Sequence, residues 1–127
     1  MSLSVLIVDD SKLARMAVAR ALSTLRPQWT RTDATNADEA LALAHQSQFD
    51  IALVDFNMPG RDGLELASEL REIFPEMPVA VITANIQAEI VNRAQAVGAQ
   101  FLPKPLTQEA MSAFIVEAEQ RLGVPGR

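Results

Sequence analysis

Cysteine is absent from the 127-residue chain, which excludes disulfides, thiol nucleophiles and thiolate-bound metals. Histidine occurs once, as His45, so zinc lacks the nitrogen and sulfur ligands it prefers. No apolar run approaches the ~18 residues that a membrane span needs, and the first residues show no charged-then-apolar leader; a cytoplasmic location is expected. Repeats, low-complexity tracts and interdomain linkers are missing too. The length suits one domain over 1–127 with its core at about 4–122, large enough to bury a hydrophobic interior without staples.

Acids are missing from one stretch. Between Ser11 and Thr32 stand five cations (Lys12, Arg15, Arg20, Arg26, Arg31) and no Asp or Glu. The remainder carries all sixteen acids and six cations. The net charge of −5 argues against non-specific nucleic-acid binding. The basic stretch reads either as a solvated helix face or as a docking face for an acidic partner beside an acidic pocket.

Against these absences stands a regular alternation. Ser4-Val5-Leu6-Ile7-Val8, Ile51-Ala52-Leu53-Val54 and Val79-Ala80-Val81-Ile82 are short apolar runs of the kind buried on both faces of a parallel sheet. Thr30 to Ala34 is a polar strand suited to a sheet edge, and Gln100-Phe101-Leu102 is a short fifth strand. Helices fall between them. Ser11 caps the first, with Met16 or Ala17, Val18, Ala21, Leu22 and Leu25 as its inner stripe. Asn36 with Glu39, and Asp62 with Glu65, resemble capping boxes. Asn85 is the expected cap of the fourth helix, which turns Ile86, Ile90, Ala94 and Val97 inward and stops at Gly98. Thr107 caps the fifth, with Met111, Ile115, Ala118 and Leu122 inward. His45 lies on the second helix toward solvent. Five β-α units with short connections predict an α/β fold with a doubly wound parallel sheet and helices on both faces.

In such sheets ligand sites form beyond the carboxyl ends of the strands. The residues closing the strands here are Asp9 and Asp10, Asp55, Thr83 and Lys104. Three convergent carboxylates repel unless a cation intervenes. An all-oxygen cluster suits a hard ion that keeps several waters, which means Mg²⁺. Thr83 offers a hydroxyl and Lys104 an ammonium to an incoming anion. A carboxylate nucleophile, a metal and a cation together describe phosphoryl transfer onto Asp.

Four segments then match a family pattern: Val8-Asp9-Asp10-Ser11, Leu53 through Gly63 (with Asp55-Phe56-Asn57-Met58-Pro59-Gly60), Ile82-Thr83-Ala84, and Phe101-Leu102-Pro103-Lys104-Pro105. From about Ser4 to Leu122 the chain resembles a response-regulator receiver domain of two-component signalling, the CheY-like superfamily. The resemblance implies a flavodoxin-like (βα)5 sheet in the order 2-1-3-4-5. It implies that Asp55 accepts a phosphoryl group from a sensor histidine kinase or histidine phosphotransfer protein. Asp9, Asp10, Asp55 and the main-chain carbonyl of Asn57 would hold Mg²⁺, and Thr83 and Lys104 would hold the phosphoryl oxygens. Phe101 matches the aromatic switch position, and Lys104-Pro105 matches a cis peptide. Such a domain is a switch and not an enzyme in its own right, catalysing only its own phosphoryl transfer and dephosphorylation. Its implied partners are a downstream target or output domain, or a second copy on phosphorylation.

Three other readings bear on the same residues. A haloacid-dehalogenase-type phosphatase wants its nucleophile at the end of strand one and a cap domain. A flavin or nucleotide binder needs a phosphate loop, which Asp9-Asp10-Ser11-Lys12 would repel; no Gly-Lys-Ser/Thr loop exists. A phosphorylation-independent receiver, acting purely as an interaction module, stays open.

Overall fold

The computed structural model describes residues 2–84 and 87–124. Five strands alternate with five helices: β1 (Ser4–Val8), α1 (Lys12–Leu25), β2 (Thr30–Ala34), α2 (Ala37–Gln46), β3 (Ile51–Asp55), α3 (Gly63–Ile73), β4 (Val79–Thr83), α4 (Ala88–Val97), β5 (Gln100–Pro103) and α5 (Gln108–Leu122). All strand pairs are parallel, in the order β2-β1-β3-β4-β5. The polar strand β2 takes an edge, as its composition requires.

Successive side chains of a strand point to opposite faces, and the core divides accordingly. Leu6, Val8, Ala52, Val54, Val79 and Val81 pack on one side with Leu66 and Leu70 of α3, Ala40 and Ala44 of α2 and Ile90 of α4. Val5, Ile7, Ile51, Leu53, Ala80 and Ile82 pack on the other with Leu22 of α1 and Met111, Phe114 and Ile115 of α5. Each fully buried Leu or Ile contributes about 1.5–3 kcal/mol relative to exposure, and β3 is buried along its whole length. That rigid central strand carries Asp55 at its end.

Several caps follow expectation. The Ser11, Asn36, Asp62 and Thr107 side chains accept from backbone N–H groups three residues on. Asp62 and Glu65 form a complete capping box. Glu39 does not: its carboxylate accepts from the N–H of Thr35 instead of Asn36, 2.6 Å away. The α1 stripe holds at Val18, Ala21, Leu22 and Leu25 and departs from expectation at its first position. Val18, Ala19 and Leu22 are buried, whereas Met16 and Ala17 face solvent. On α5, Phe114 and Glu119 join the buried face. The α4 cap expected at Asn85, and Ile86 with it, lie outside the described residues; the helix starts at Ala88 with Gln87 preceding it.

Candidate phosphoryl-acceptor site

Asp9 continues directly from β1. Its N–H donates to the Ala34 carbonyl of β2 at 3.1 Å, and its Oδ1 accepts from the Ser11 N–H at 2.9 Å. This places Asp9 buried at the carboxyl rim of the sheet and leaves Asp10 exposed. Asp55 closes β3 beside Ile82 of β4 and is 3% exposed. The chain then folds back tightly, with Gly63 N–H donating to the Phe56 carbonyl at 2.8 Å. A Cβ on Gly63 would stand 2.5 Å from the Asp55 carbonyl oxygen, so only glycine permits this close return.

From the other side comes Lys104. Its N–H donates to the Thr83 carbonyl at 3.0 Å, and the Lys104–Pro105 peptide is cis, as expected. The Lys104 Nζ stands 2.6 Å from Asp55 Oδ1. This is a charge–charge contact without hydrogen-bond alignment; Oδ1, although buried, accepts no aligned hydrogen bond. Carboxylate oxygens of Asp9, Asp10 and Asp55 all lie within 4.8 Å of one another. Burial pushes the Asp9 carboxyl above its ordinary value; the Asp55 and Asp10 charges push the same way, while the Ser11 N–H and Lys104 oppose them.

Thr83 is fully buried at the end of β4, one residue beyond the partner of Asp55. Asn57 is exposed two residues past Asp55. Phe101 is half-buried on β5, packed against the core layer that contains Ile90 and Ala94. The donor set is oxygen only, negatively charged and crowded, with one buried oxygen lacking an aligned donor. Those properties fit a hard divalent cation such as Mg²⁺. A separate open groove of about 630 Å³, lined by Phe49, Phe74 and Met77, lies by the connections that enter β3 and β4, at the opposite strand ends.

Arg15 is the residue that motif reading missed. Counted only as part of the basic stretch, it reaches the main chain of Asp9.

A family model for the response regulator receiver domain matches residues 5–116. The positive alginate biosynthesis regulatory protein of Pseudomonas aeruginosa is 38% identical over 120 residues, covering 93% of this chain and 48% of that protein. Sensor protein EvgS of Escherichia coli (strain K12) is 33% identical over 119 residues, covering 93% of this chain and 10% of that one. The chain thus spans about half or less of the length of these relatives. Among solved structures, chemotaxis protein CheY4 of Vibrio cholerae is 29% identical with a TM-score of 0.83, covering 93% of this chain and 99% of that one. A CheY-like receiver domain protein from Methanospirillum hungatei JF-1 shares the fold with a TM-score of 0.86 at 23% identity, covering 97% and 98%. With buried acid, opposing lysine and sequence match in agreement, the chain belongs to the response regulator receiver domain family of two-component systems.

Proposed function

We propose that this domain accepts a phosphoryl group on Asp55 from a phosphohistidine of a sensor kinase or phosphotransfer protein, and that the transfer resets its α4-β5-α5 face. The observation that carries this is the buried Asp55 carboxylate 2.6 Å from Lys104 Nζ, with Asp9 and Asp10 beside it. A carboxylate oxygen of Asp55 forms the new P–O bond as the donor's P–N bond breaks; the imidazole keeps that electron pair. Asp9, Asp10 and Asp55, with the Asn57 main-chain carbonyl, are the residues to hold Mg²⁺, which when bound neutralises charge on the transferring group. Lys104 leaves its pairing with Asp55 to meet a phosphoryl oxygen, and the Thr83 hydroxyl meets another.

Aspartyl phosphate adds about two negative charges at this point. Thr83 is drawn toward them, and Phe101, half-buried on the neighbouring strand two residues before the partner of Thr83, follows. Val91, Ala113 and Val116, partly or fully exposed on α4 and α5, lie on the face that a target, an output domain or a second copy reads. Turning such a switch from mostly off to mostly on needs about 5.5 kcal/mol of differential interaction; charge-assisted bonds in a partly dry pocket supply much of it. The domain, one unit over 1–127 in the cytoplasm, is thereby a signalling element and not a turnover enzyme.

Beryllofluoride with Mg²⁺, a stand-in for the phosphoryl group, tests this by backbone amide shifts. Saturable shifts at Asp55 and across β4 to β5 are expected. Unchanged shifts of residues 83–104 would mean a phosphorylation-independent interaction module instead.

A further inference from the structure

Arg15 stands in the first turns of α1, and its side chain is only 12% exposed. Its Nη1 donates to the main-chain carbonyl of Asp9 at 2.7 Å. Its Nε donates to Asp33 Oδ2 on the edge strand β2 at 3.3 Å. One guanidinium thus links the β1–α1 connection to the strand beside it. We infer that Arg15, oriented by Asp33, is a positioning residue that fixes the Asp9–Asp10 peptide and so sets where Asp10 presents its carboxylate to the metal. The inference rests on the reading of Asp9, Asp10 and Asp55 as a magnesium-dependent acceptor site.

The Asp9 carbonyl and the Asp10 N–H lie in one rigid peptide plane. Asp9 itself is pinned on both sides, by the Ala34 carbonyl and the Ser11 N–H. Asp10 is exposed, so packing does not hold it, and the orientation of the preceding peptide decides its direction. Arg15 grips the one oxygen that reports this orientation. A planar fork is suited to holding two oxygens at a set angle, and a lysine ammonium is not. Outer-shell partners of this kind are worth about 10- to 100-fold in metal affinity.

The test is Mg²⁺ titration by calorimetry, with the Asp10 amide followed by NMR and the urea midpoint of the metal-free protein measured alongside. Wild type is compared with Arg15→Gln, Arg15→Lys, Asp33→Asn and the Arg15→Gln/Asp33→Asn pair. The expected result is a dissociation constant raised about tenfold or more by Arg15→Gln, not restored by Arg15→Lys, and raised less by Asp33→Asn. The double variant should be no weaker than Arg15→Gln alone, since both act through one contact. The metal-free Asp10 amide should shift in each. Variants that bind as wild type does, or full rescue by Arg15→Lys, overturn the inference while leaving the acceptor site intact. The exposed Asp33 keeps the test decisive if an Arg15 variant fails to fold. Wild type with no Mg²⁺ response at Asp10 and Asp55 overturns the acceptor reading and this inference together.

Discussion

Burying Asp55 at the end of a fully buried strand is costly for a charged group, and Lys104 is what offsets it. Lys104→Met should therefore strip the site of its resident cation. Mg²⁺ then becomes the sole counter-charge, and its affinity should rise by about tenfold, equivalent to about 1.4 kcal/mol. Beryllofluoride binding should weaken in the same protein because its fluorines lose the ammonium. Calorimetry of both ligands checks the opposed signs. Asp9 gives a pH prediction. Its folded-state carboxyl lies above the ordinary value, so its protonated form stabilises the fold at low pH, and that contribution is lost as pH rises through the raised value. In metal-free protein Asp9→Asn should be the more stable at neutral pH, and the gain should fade on acidification, as urea midpoints across pH will show. Mg²⁺ should raise the wild-type midpoint at neutral pH and progressively less as protons compete for Asp9.

Among the elements, α3 shows how closely the site depends on its supports. Gly63→Ala sets a methyl against the Asp55 carbonyl at 2.5 Å, so the loop or strand must move. A loss of about 1–3 kcal/mol is expected, with Mg²⁺ affinity falling as Asp55 shifts; a midpoint equal to wild type contradicts this close return. The start of α3 was legible in the sequence because Asp62 and Glu65 satisfy backbone donors within one turn. The same locality made Ser11, Asn36 and Thr107 readable. The face of α1 was legible only in part: Val18, Ala21, Leu22 and Leu25 pack inward as expected, Met16 and Ala17 do not. Leu13, Met16, Ala17, Val18, Ala19, Ala21, Leu22 and Leu25 are apolar over more than one stripe, and the docking angle on the sheet selects Val18, Ala19 and Leu22. Leu13, 79% exposed, and Met16 are left outside.

Across the whole molecule, the strand-end acids were readable because a parallel sheet sends every carboxyl end to one rim. Contacts between distant helices carry no such signal. Arg26 and Glu119 are 93 residues apart, yet two hydrogen bonds of 2.9 and 2.8 Å join them between α1 and α5. Both side chains are nearly buried, the Arg26 guanidinium also lies 5.8 Å from the centre of the Trp29 ring, and the Glu119 hydrogen bonds hold Arg26 above its ordinary pKa. Glu119→Ala should cost about 3–5 kcal/mol by stranding the cation. Arg26→Met/Glu119→Leu should recover most of it, both read from denaturant midpoints. This pair fastens two helices of the layer opposite α2, α3 and α4, so it steadies the frame against which the rim works. The most direct measurement at that rim is the intact mass of the protein after incubation with a small-molecule phosphoryl donor, with and without Mg²⁺. One phosphoryl group added only with Mg²⁺, mapped to Asp55 and absent in Asp55→Asn, is the predicted result; no adduct, or the same adduct in Asp55→Asn, contradicts Asp55 as the acceptor.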